Sequence, residues 1–318
     1  MTMMAVLDEG RTAGALAAEP SRIAQIEIVR DFEAAAAAWR ELESGDVFAT
    51  PYQRYELLGA WQRNVGAQQG VAPYIVVARD CERRPLMLMP LGVAHCNGAR
   101  VASFLGGKHC TFNMPLWRAD AARAMDATDL EVLIAALRAQ PDCPDMLALC
   151  QQPQSWWGQS NPMALLPHQP SVNQCPVLVM RPGAPPADRV SNSFRRRLKA
   201  KEKKYQALPG YRYRRVTEDS EIDAVLAAFF RIKPERMKAQ GLPNVFAEPG
   251  TEAFVREACH ANVGGGRAID IHALVCDDEM IAMFAGVADR SRYSMMFNTY
   301  TLSENARYSP GLILMRHI

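Results

Sequence analysis

Three strand-like runs follow one another near the end of the sequence: IDIHALVC at residues 269–276, MIAMFAGVA at 280–288 and YSMMFNTYT at 293–301. The acidic residues 277–279 are typical of a hairpin turn between the first two runs. Upstream, Tyr211–Val216 alternates like a strand, and Glu221–Arg231 carries apolar residues at helical spacing. A second helix is predicted from about Pro249 to Asn262. The second half of the chain therefore predicts the order β-α-α-β-β-β.

The first half predicts the same order of elements. It begins with a strand at Ile23–Val29 and a helix that Asp31 caps and that runs through Glu43. Thr50-Pro51-Tyr52-Gln53 is typical of a capping box with proline at the first helical position, so a second helix is expected to start there. Three strand-like runs follow at Tyr74–Arg79, Leu86–Ala94 and Arg100–Leu105. We infer an α/β chain of two similar domains, each with a mixed sheet of the α+β type.

A proline-rich stretch separates the two halves. Residues 181–188, RPGAPPAD, hold three prolines and a glycine, which continue neither a helix nor a central strand. The predicted organisation is a disordered tail at 1–21, a first domain at 22–180, a linker at 181–190 and a second domain at 191–318.

The first half extends further beyond its third consecutive strand than the second half does. Residues 106–180 predict a helix capped by Thr128 and strand-like runs at Met146–Cys150 and Cys175–Met180. Only residues 302–318 follow the equivalent strand of the second half. From this comparison the second domain is expected to be incomplete, without its last strands.

The strongest functional signal is the stretch Ser309-Pro310-Gly311-Leu312-Ile313-Leu314, after the last strand. Serine suits the N-cap position and proline the first helical position, so a helix is predicted to start here. Glycine at a helix N-terminus lets a ligand approach the backbone amides, and the positive end of the helix dipole favours phosphate. Arg307, just upstream, could add a charge-assisted contact. The alternative is an ordinary capped helix that crosses the sheet closely.

The order of elements and this motif together resemble the GNAT acyltransferase fold. The resemblance is closer to the CelD/BcsL-type branch, which is related to the FemAB peptidyltransferases and pairs two GNAT-like domains. In the second half it is carried by Phe194-Arg195-Arg196-Arg197-Leu198-Lys199, Ile281–Ala288, Tyr293–Tyr300 and Tyr308-Ser309-Pro310-Gly311. In the first half it is carried by Trp61, Met89-Pro90-Leu91 and Leu105-Gly106-Gly107-Lys108-His109. The similarity covers roughly residues 48–318.

This resemblance implies transfer of an acyl group from acyl-CoA (acetyl-CoA) to a small-molecule, glycan or lipid-linked amine. It also implies a connection with exopolysaccharide or cellulose production. The residues implied to hold coenzyme A are Arg307, Tyr308, Ser309, Gly311 and Leu312. Relatives continue beyond Ser-Pro-Gly with the rest of the helix and another strand. The polypeptide alone is therefore expected to have little or no activity.

Asn298 and Tyr300 are the catalytic candidates, because their side chains share a face of the last strand. Tyr300 could donate a proton to the departing thiolate or orient the acceptor; alternatively, both are core residues. Asp270 and His272 could position a water molecule, or be polar groups of an edge strand. His109 corresponds in the repeat to the cofactor loop of the second half. It could bind the acceptor, or be an ordinary loop histidine.

Residues 194–205 hold seven basic side chains and one acid, Glu202. On a helix, Arg195, Lys199 and Glu202 (or Lys203) share one face and the apolar residues another. This pattern fits an amphipathic helix between domains, or a site where Arg195 and Lys199 bind an anionic acceptor such as a lipid diphosphate or tRNA. General nucleic-acid binding is disfavoured, because no aromatic stacking platform accompanies the charges. The alternative to an enzyme is a non-catalytic module that binds an anionic glycan, lipid intermediate or tRNA through this helix.

Composition narrows the classes further. The 318 residues are 49% hydrophobic and 22% charged, which is typical of a globular protein and not of a disordered or fibrous chain. No apolar run reaches the ~18 residues of a membrane span, and the N-terminus lacks the order of a signal peptide. A cytoplasmic location is therefore expected, which leaves peripheral membrane association open. The cysteines have no Cys-x-x-Cys spacing and the histidines are scattered, so no metal is predicted.

Overall fold

A computed structural model describes residues 21–173, 175–179, 190–277 and 279–318. The fold is mixed α/β with a mixed sheet, as the sequence predicts. The predicted tail at 1–21 and linker at 181–190 lie outside the described residues, apart from Ser21 and Val190.

The first half builds a sheet of mixed direction. Its main strands, hydrogen-bonded in this order, are β1 (Gln25–Val29), β3 (Ala72–Arg79), β4 (Pro85–Cys96), β5 (Ala99–Phe104) and β7 (Met146–Ala148). The first four are antiparallel neighbours, whereas β7 runs parallel to β5. Four short strands complete this half: β2 (Val47–Phe48) pairs with β6 (Leu116–Arg118), and β8 (Ser155–Trp156) with β9 (Gln159–Ser160).

The second half builds a separate antiparallel sheet. Its strands, in spatial order, are β10 (Arg212–Val216), β13 (Asp270–Cys276), β14 (Glu279–Ala288) and β15 (Tyr293–Tyr300). A small hairpin of β11 (Asn262–Val263) and β12 (Gly266–Arg267) precedes β13. The order β10-β13-β14-β15 has the same connectivity as β1-β3-β4-β5. The predicted order β-α-α-β-β-β therefore occurs in both halves.

The helices form layers on both sides of the two sheets. They are α1 (Ala36–Ser44), α2 (Tyr55–Trp61), α3 (Ala119–Ala124), α4 (Ala127–Arg138), α5 (Asn192–Gln206), α6 (Asp219–Ala239), α7 (Thr251–His260) and α8 (Pro310–His317). Helices α3 and α4 pack on the outer face of the first sheet, and α5 and α8 on the outer face of the second.

The inner faces of both sheets share one apolar core with α1, α2, α6 and α7. Trp39 and Leu58 of the first half belong to the same cluster as Phe229 and Phe254 of the second half. Burying a large apolar side chain contributes about 1.5–3 kcal/mol. The two halves are therefore joined by hydrophobic burial, and the segment that connects them in sequence is not their only link.

Three local predictions are wrong. Thr50 makes no capping bond; residues 51–53 form a 3₁₀ turn, and α2 begins at Tyr55, whose amide donates to Glu43 Oε1 at 2.8 Å. The cap of α4 is Asp126, two residues before the predicted Thr128, because Asp126 and Asp129 form a reciprocal capping box. In the predicted strand Cys175–Met180, residues 175–179 are exposed and irregular, and Met180 lies outside the described residues.

Candidate functional site

The helix predicted at Ser309 begins there, but its start is not capped by a side chain. After β15, a 3₁₀ turn at Glu304–Tyr308 leads to Ser309, whose backbone is left-handed (φ 60°, ψ 53°), and α8 follows at Pro310. The Ser309 hydroxyl makes no capping bond. The amides of Gly311 and Leu312 belong to the first turn, whose N–H groups have no acceptor within a helix. They can therefore donate to an anion.

Lys201 of α5 adds a cation to this helix start. Its Nζ donates to Ser309 Oγ at 2.7 Å. Helix α5 is held there by Tyr205, which is fully buried and whose hydroxyl donates to the carbonyl of Asn305 at 2.7 Å. The sequence analysis selected Arg195 and Lys199 instead. The spacing of Lys201 from the apolar positions 198 and 205 could have placed it on the packed face.

Arg307 and Tyr308 flank the same helix start. An Arg307 Nη2 hydrogen donates to the Tyr308 hydroxyl at 2.8 Å, and the Tyr308 ring meets Tyr205 edge-on at 5.7 Å. Leu312 is exposed. We name the group Lys201, Arg307, Tyr308, Ser309, Gly311 and Leu312 the α8 cradle.

Asn298 and Tyr300 lie on the face of β15 that looks toward α5 and α8. Asn298 is in register with Phe284 of β14, and a Cβ built on Gly311 would lie 3.8 Å from the Phe284 ring. Phe284 therefore connects the predicted catalytic strand to the α8 cradle. Tyr300 is half-buried, and the guanidinium of Arg236 lies 3.3 Å from the centre of its ring. Asn298 makes only a 3.6 Å contact from its amide to Met295 Sδ.

Strand β15 also contains an irregularity that the sequence analysis missed. Ala285 pairs with Phe297 and Gly286 with Met295, so Met296 is an extra residue in the ladder. Such a β-bulge leaves its extra residue unpaired. Gly286 is required beside it, because a Cβ there would lie 2.2 Å from the Ser294 carbonyl oxygen.

Arg195 and Lys199 are exposed on α5, and Glu202 does not share their face. Glu202 is 3% exposed and accepts hydrogen bonds from Arg316 and from His317 Nε2, which lies 2.6 Å away. Burial alone would raise the pKa of Glu202, but these partners hold it below its usual value. Of the two residues expected to join Arg195 and Lys199, Lys203 is exposed as they are, whereas Glu202 is buried and ties α5 to the end of α8.

Asp270 and His272 are not edge-strand residues, because β13 lies between β10 and β14. Both are buried and line a cleft of about 510 Å³ between the two halves. Asp270 pairs with Arg215 at 2.9 Å, and His272 Nδ1 lies 2.8 Å from the Tyr213 hydroxyl. Burial lowers the pKa of His272, so the ring is neutral and can accept a proton at neutral pH.

His109 lies in the contact between the two halves. Its Nδ1 accepts a hydrogen bond from Trp61 Nε1 at 3.1 Å, and its ring packs edge-on against Phe254 of α7 at 5.3 Å. Burial lowers the pKa of His109, and the neighbouring Lys108 lowers it further. None of these contacts of His109 involves a residue of the α8 cradle.

Residues 192–318 match the family model for an acetyltransferase (GNAT) domain. This match covers less than half of the chain, and it spans α5, the second sheet and the α8 cradle. The recognisable part of the sequence is therefore the half that contains the open helix start.

One similar solved structure is described as a GCN5-related glucosamine N-acetyltransferase region in a fungal multi-domain GH3 beta-N-acetylglucosaminidase. It is 12% identical, the match covers 94% of this chain and 34% of that chain, and the TM-score is 0.31. The chain thus spans about a third of that protein's length, and a likeness this low supports no conclusion about function. No curated protein matches the sequence.

Among the described residues there is neither a membrane-spanning helix nor a metal-binding cluster. No helix within 21–173, 175–179, 190–277 and 279–318 has both the length and the apolar content to cross a bilayer. The same ranges hold no cluster of three or more His, Cys, Asp or Glu side chains that could bind a metal ion.

Proposed function

We propose that the chain is an N-acyltransferase that transfers an acyl group from acyl-CoA to an amine. The observation that carries the proposal is the α8 cradle, an uncapped helix start within the residues that match the acetyltransferase (GNAT) domain. The amides of Gly311 and Leu312, the ammonium of Lys201 and the guanidinium of Arg307 fit a pyrophosphate, which offers many acceptor oxygens and negative charge. Tyr308 and Ser309 shape the cradle between them.

Acyl-CoA supplies a thioester whose carbonyl carbon is open to attack by an amine. A C–N bond forms, the C–S bond breaks, and the proton lost by the amine passes to a side chain or water. Tyr300 protonates the leaving thiolate, and Asn298 orients the reacting groups. We assign stabilisation of the developing oxyanion to the backbone N–H of Met296, which lies outside the regular ladder.

Binding of acetyl-CoA tests the cradle directly. Titration calorimetry is expected to detect binding, and Lys201→Ala is expected to weaken it at least about tenfold, since a hydrogen bond to a charged group contributes roughly 1.5–3 kcal/mol. Lys203→Ala is the matched control, because Lys203 is exposed on the same helix. No binding by the wild-type chain at millimolar acetyl-CoA would refute the proposal. Equal losses of acetyl-CoA affinity in both variants would show that the α8 cradle is not the binding site.

The acceptor, the acyl group and the cellular setting are finer proposals. The CelD/BcsL type, the relation to FemAB proteins and the connection with exopolysaccharide or cellulose production are supported by the sequence motifs alone. A cytoplasmic location with peripheral membrane association agrees with an acyl-CoA donor and remains part of the same proposal.

One observation favours a second function, a binding module for an anionic glycan, lipid intermediate or tRNA. Six basic residues of α5 are exposed: Arg195, Arg196, Arg197, Lys199, Lys203 and Lys204. A steep loss of tRNA or anionic-vesicle binding with rising salt, reduced by Arg195→Gln with Lys199→Gln, would support this function. An affinity that does not change with salt concentration would refute this function.

A further inference from the structure

A cleft with polar walls is lined by residues of both halves and lies on the same face of the second sheet as Phe284. Its volume is about 510 Å³, within the range of small-molecule sites. Five arginines and two aspartates line it: Arg54, Arg215, Arg267, Arg290, Arg292, Asp270 and Asp289. We name it the arginine cleft.

Two of these arginines are neutralised by carboxylates and three are not. Arg215 pairs with Asp270 at 2.9 Å, and Arg267 pairs with Asp219 at 2.9 Å. Among the residues that the structure describes, Arg54, Arg290 and Arg292 have no carboxylate within ion-pair distance. Arginine remains charged in proteins, so the cleft holds uncompensated positive charge.

Of these three arginines, Arg54 is the strongest indication that the cleft binds an anion. It comes from the first half, and its Nη2 hydrogen donates to the carbonyl of Ala288 in the second half at 2.7 Å. Burial lowers the pKa of its guanidinium, although four carboxylates in the wider surroundings partly oppose this. A desolvated cation without a carboxylate partner is costly, and an anionic ligand would offset that cost.

Arg290 and Arg292 are held in place by tryptophans of the first half. The Arg290 guanidinium lies 3.9 Å from the ring centre of Trp157, and that of Arg292 lies 4.0 Å from the ring centre of Trp156. Stacking of this kind fixes a guanidinium while leaving its N–H edge free to bind a ligand.

Asp289 is occupied in building this loop. Its Oδ2 accepts hydrogen bonds from Trp156 Nε1 at 3.0 Å and Trp157 Nε1 at 3.1 Å. Its Oδ1 accepts from the amides of Ser291 at 2.8 Å and Arg292 at 2.9 Å. The carboxylate that directly precedes Arg290 in sequence therefore anchors the loop and pairs with neither Arg290 nor Arg292.

We propose that the arginine cleft binds the acyl acceptor, and that this acceptor is a small amine bearing a phosphate group. One guanidinium fork satisfies a carboxylate, whereas three guanidiniums without an ion-pair partner, with the charge of Asp289 offsetting one of them, match a phosphate dianion. The proposal rests on the proposed function for its acyl donor.

The cleft lies close enough to the α8 cradle for this role. His272 lines the cleft and is in register with Phe284, whose ring lies beside Gly311 of the cradle. Neighbouring strands are about 4.8 Å apart, so His272 and Asn298, on either side of Phe284, are about 10 Å apart across the sheet. An acceptor whose phosphate is held in the cleft and whose amine extends past Phe284 can thus reach a thioester held at Asn298.

O-Phosphoethanolamine is the probe that combines an amine with a phosphate. In calorimetric titrations it is expected to bind at least tenfold more tightly than ethanolamine, which lacks the anion, and β-alanine, which carries a carboxylate. Arg290→Gln and Arg292→Gln are each expected to weaken it about tenfold. Arg256→Gln is the control, because Arg256 lies on α7 and pairs with Glu252 outside the cleft. Equal affinity for all three compounds, or unchanged affinity in both cleft variants, would overturn the proposal.

A second measurement does not depend on the variants being folded. The indole N–H signals of Trp156 and Trp157 in wild-type NMR spectra are expected to shift with phosphoethanolamine, because the cleft arginines lie on those rings. Unshifted signals at saturation would contradict the assignment. Acetyl-CoA titrations of the same variants separate the two proposals. If phosphoethanolamine binds and acetyl-CoA does not, the proposed function and the acceptor role are both overturned. If acetyl-CoA binds and phosphoethanolamine does not, only the cleft proposal is overturned.

Discussion

The turn after β5 and the turn after β15 occupy the same position in the two halves, yet they are used differently. After β5, the turn at Gly107–His109 is filled by protein: Trp61 donates to His109, and Phe254 of the other half packs on that ring. After β15, the chain enters α8 at Ser309 with no capping bond, and the first-turn residue Leu312 is exposed. The turn after β5 therefore helps to join the two halves, whereas the turn after β15 leaves a helix start accessible to a ligand.

The strands beside these turns differ in the same sense. On its outer side β5 pairs with β7, from Val101 with Met146 to Ser103 with Ala148. Within the described residues β15 has no strand on that side; Lys233 Nζ donates instead to the Asn298 carbonyl at 3.0 Å. In the part of the chain that the structure describes, the backbone edge of β15 is therefore open to other groups, whereas that of β5 is paired.

Matched glycine substitutions should show this difference most strongly. Gly106 has φ 96°, and a Cβ there would lie 2.2 Å from the buried Cys110 Sγ. Gly106→Ala is therefore expected to lower the free energy of unfolding by about 2–4 kcal/mol, from the left-handed backbone and overpacking. At Gly311 a Cβ would make only an ordinary 3.8 Å contact with Phe284, so Gly311→Ala should keep or raise stability. Urea unfolding of both variants checks this, and equal losses would contradict it.

The hydrogen bond in the filled turn gives an intermediate effect. Trp61 is 4% exposed, and its only side-chain donor is used on His109. Trp61→Phe should lower the free energy of unfolding by about 1–3 kcal/mol, since it removes that donor and leaves a cavity. Ser309→Ala in the open turn should change stability by less than about 0.5 kcal/mol, because its hydroxyl bonds only to Lys201 at the surface. A larger loss for Ser309→Ala than for Trp61→Phe would reverse the assigned roles.

Much of the fold could be predicted from local sequence, because the strands alternate and the helices have clear apolar spacing. The cap at Asp126 was missed because Thr128 and Asp126 both suit an N-cap, and the reciprocal bond to Asp129 decides between them. The choice between Glu202 and Lys203 could not be made from the sequence because the partners of Glu202, Arg316 and His317, lie more than 100 residues away. Local periodicity contains no information about such partners.

The candidate site was predicted where it is contiguous in sequence and missed where the fold assembles it. Ser309 and Gly311 are contiguous with the helix start. Lys201 contacts that site from another helix. In the sequence it cannot be distinguished from the six other basic residues of the same segment. The arginine cleft combines Arg54 with residues from Arg215 onward, more than 150 positions away, so no sequence window contains it.

The smallest effect concerns pH and involves one histidine from each half. Burial lowers the pKa of both His109 and His272, so each takes up a proton when the chain unfolds below about pH 6.5. The free energy of unfolding should therefore fall as the pH decreases from 7 to 5.5, and His109→Gln and His272→Gln should each flatten this dependence.

The charged groups around these rings support that sign. His109 lies beside Lys108, which disfavours its protonation, with Glu248 opposing. His272 contacts Tyr213 and Tyr293, and the nearby Asp270 is already paired with Arg215. Urea unfolding at the two pH values measures the difference, and a variant that keeps the wild-type slope shows that its histidine is not responsible. Since the pKa of Asp80 is about 2, that ion-paired carboxylate stays charged throughout this range and does not contribute to the slope.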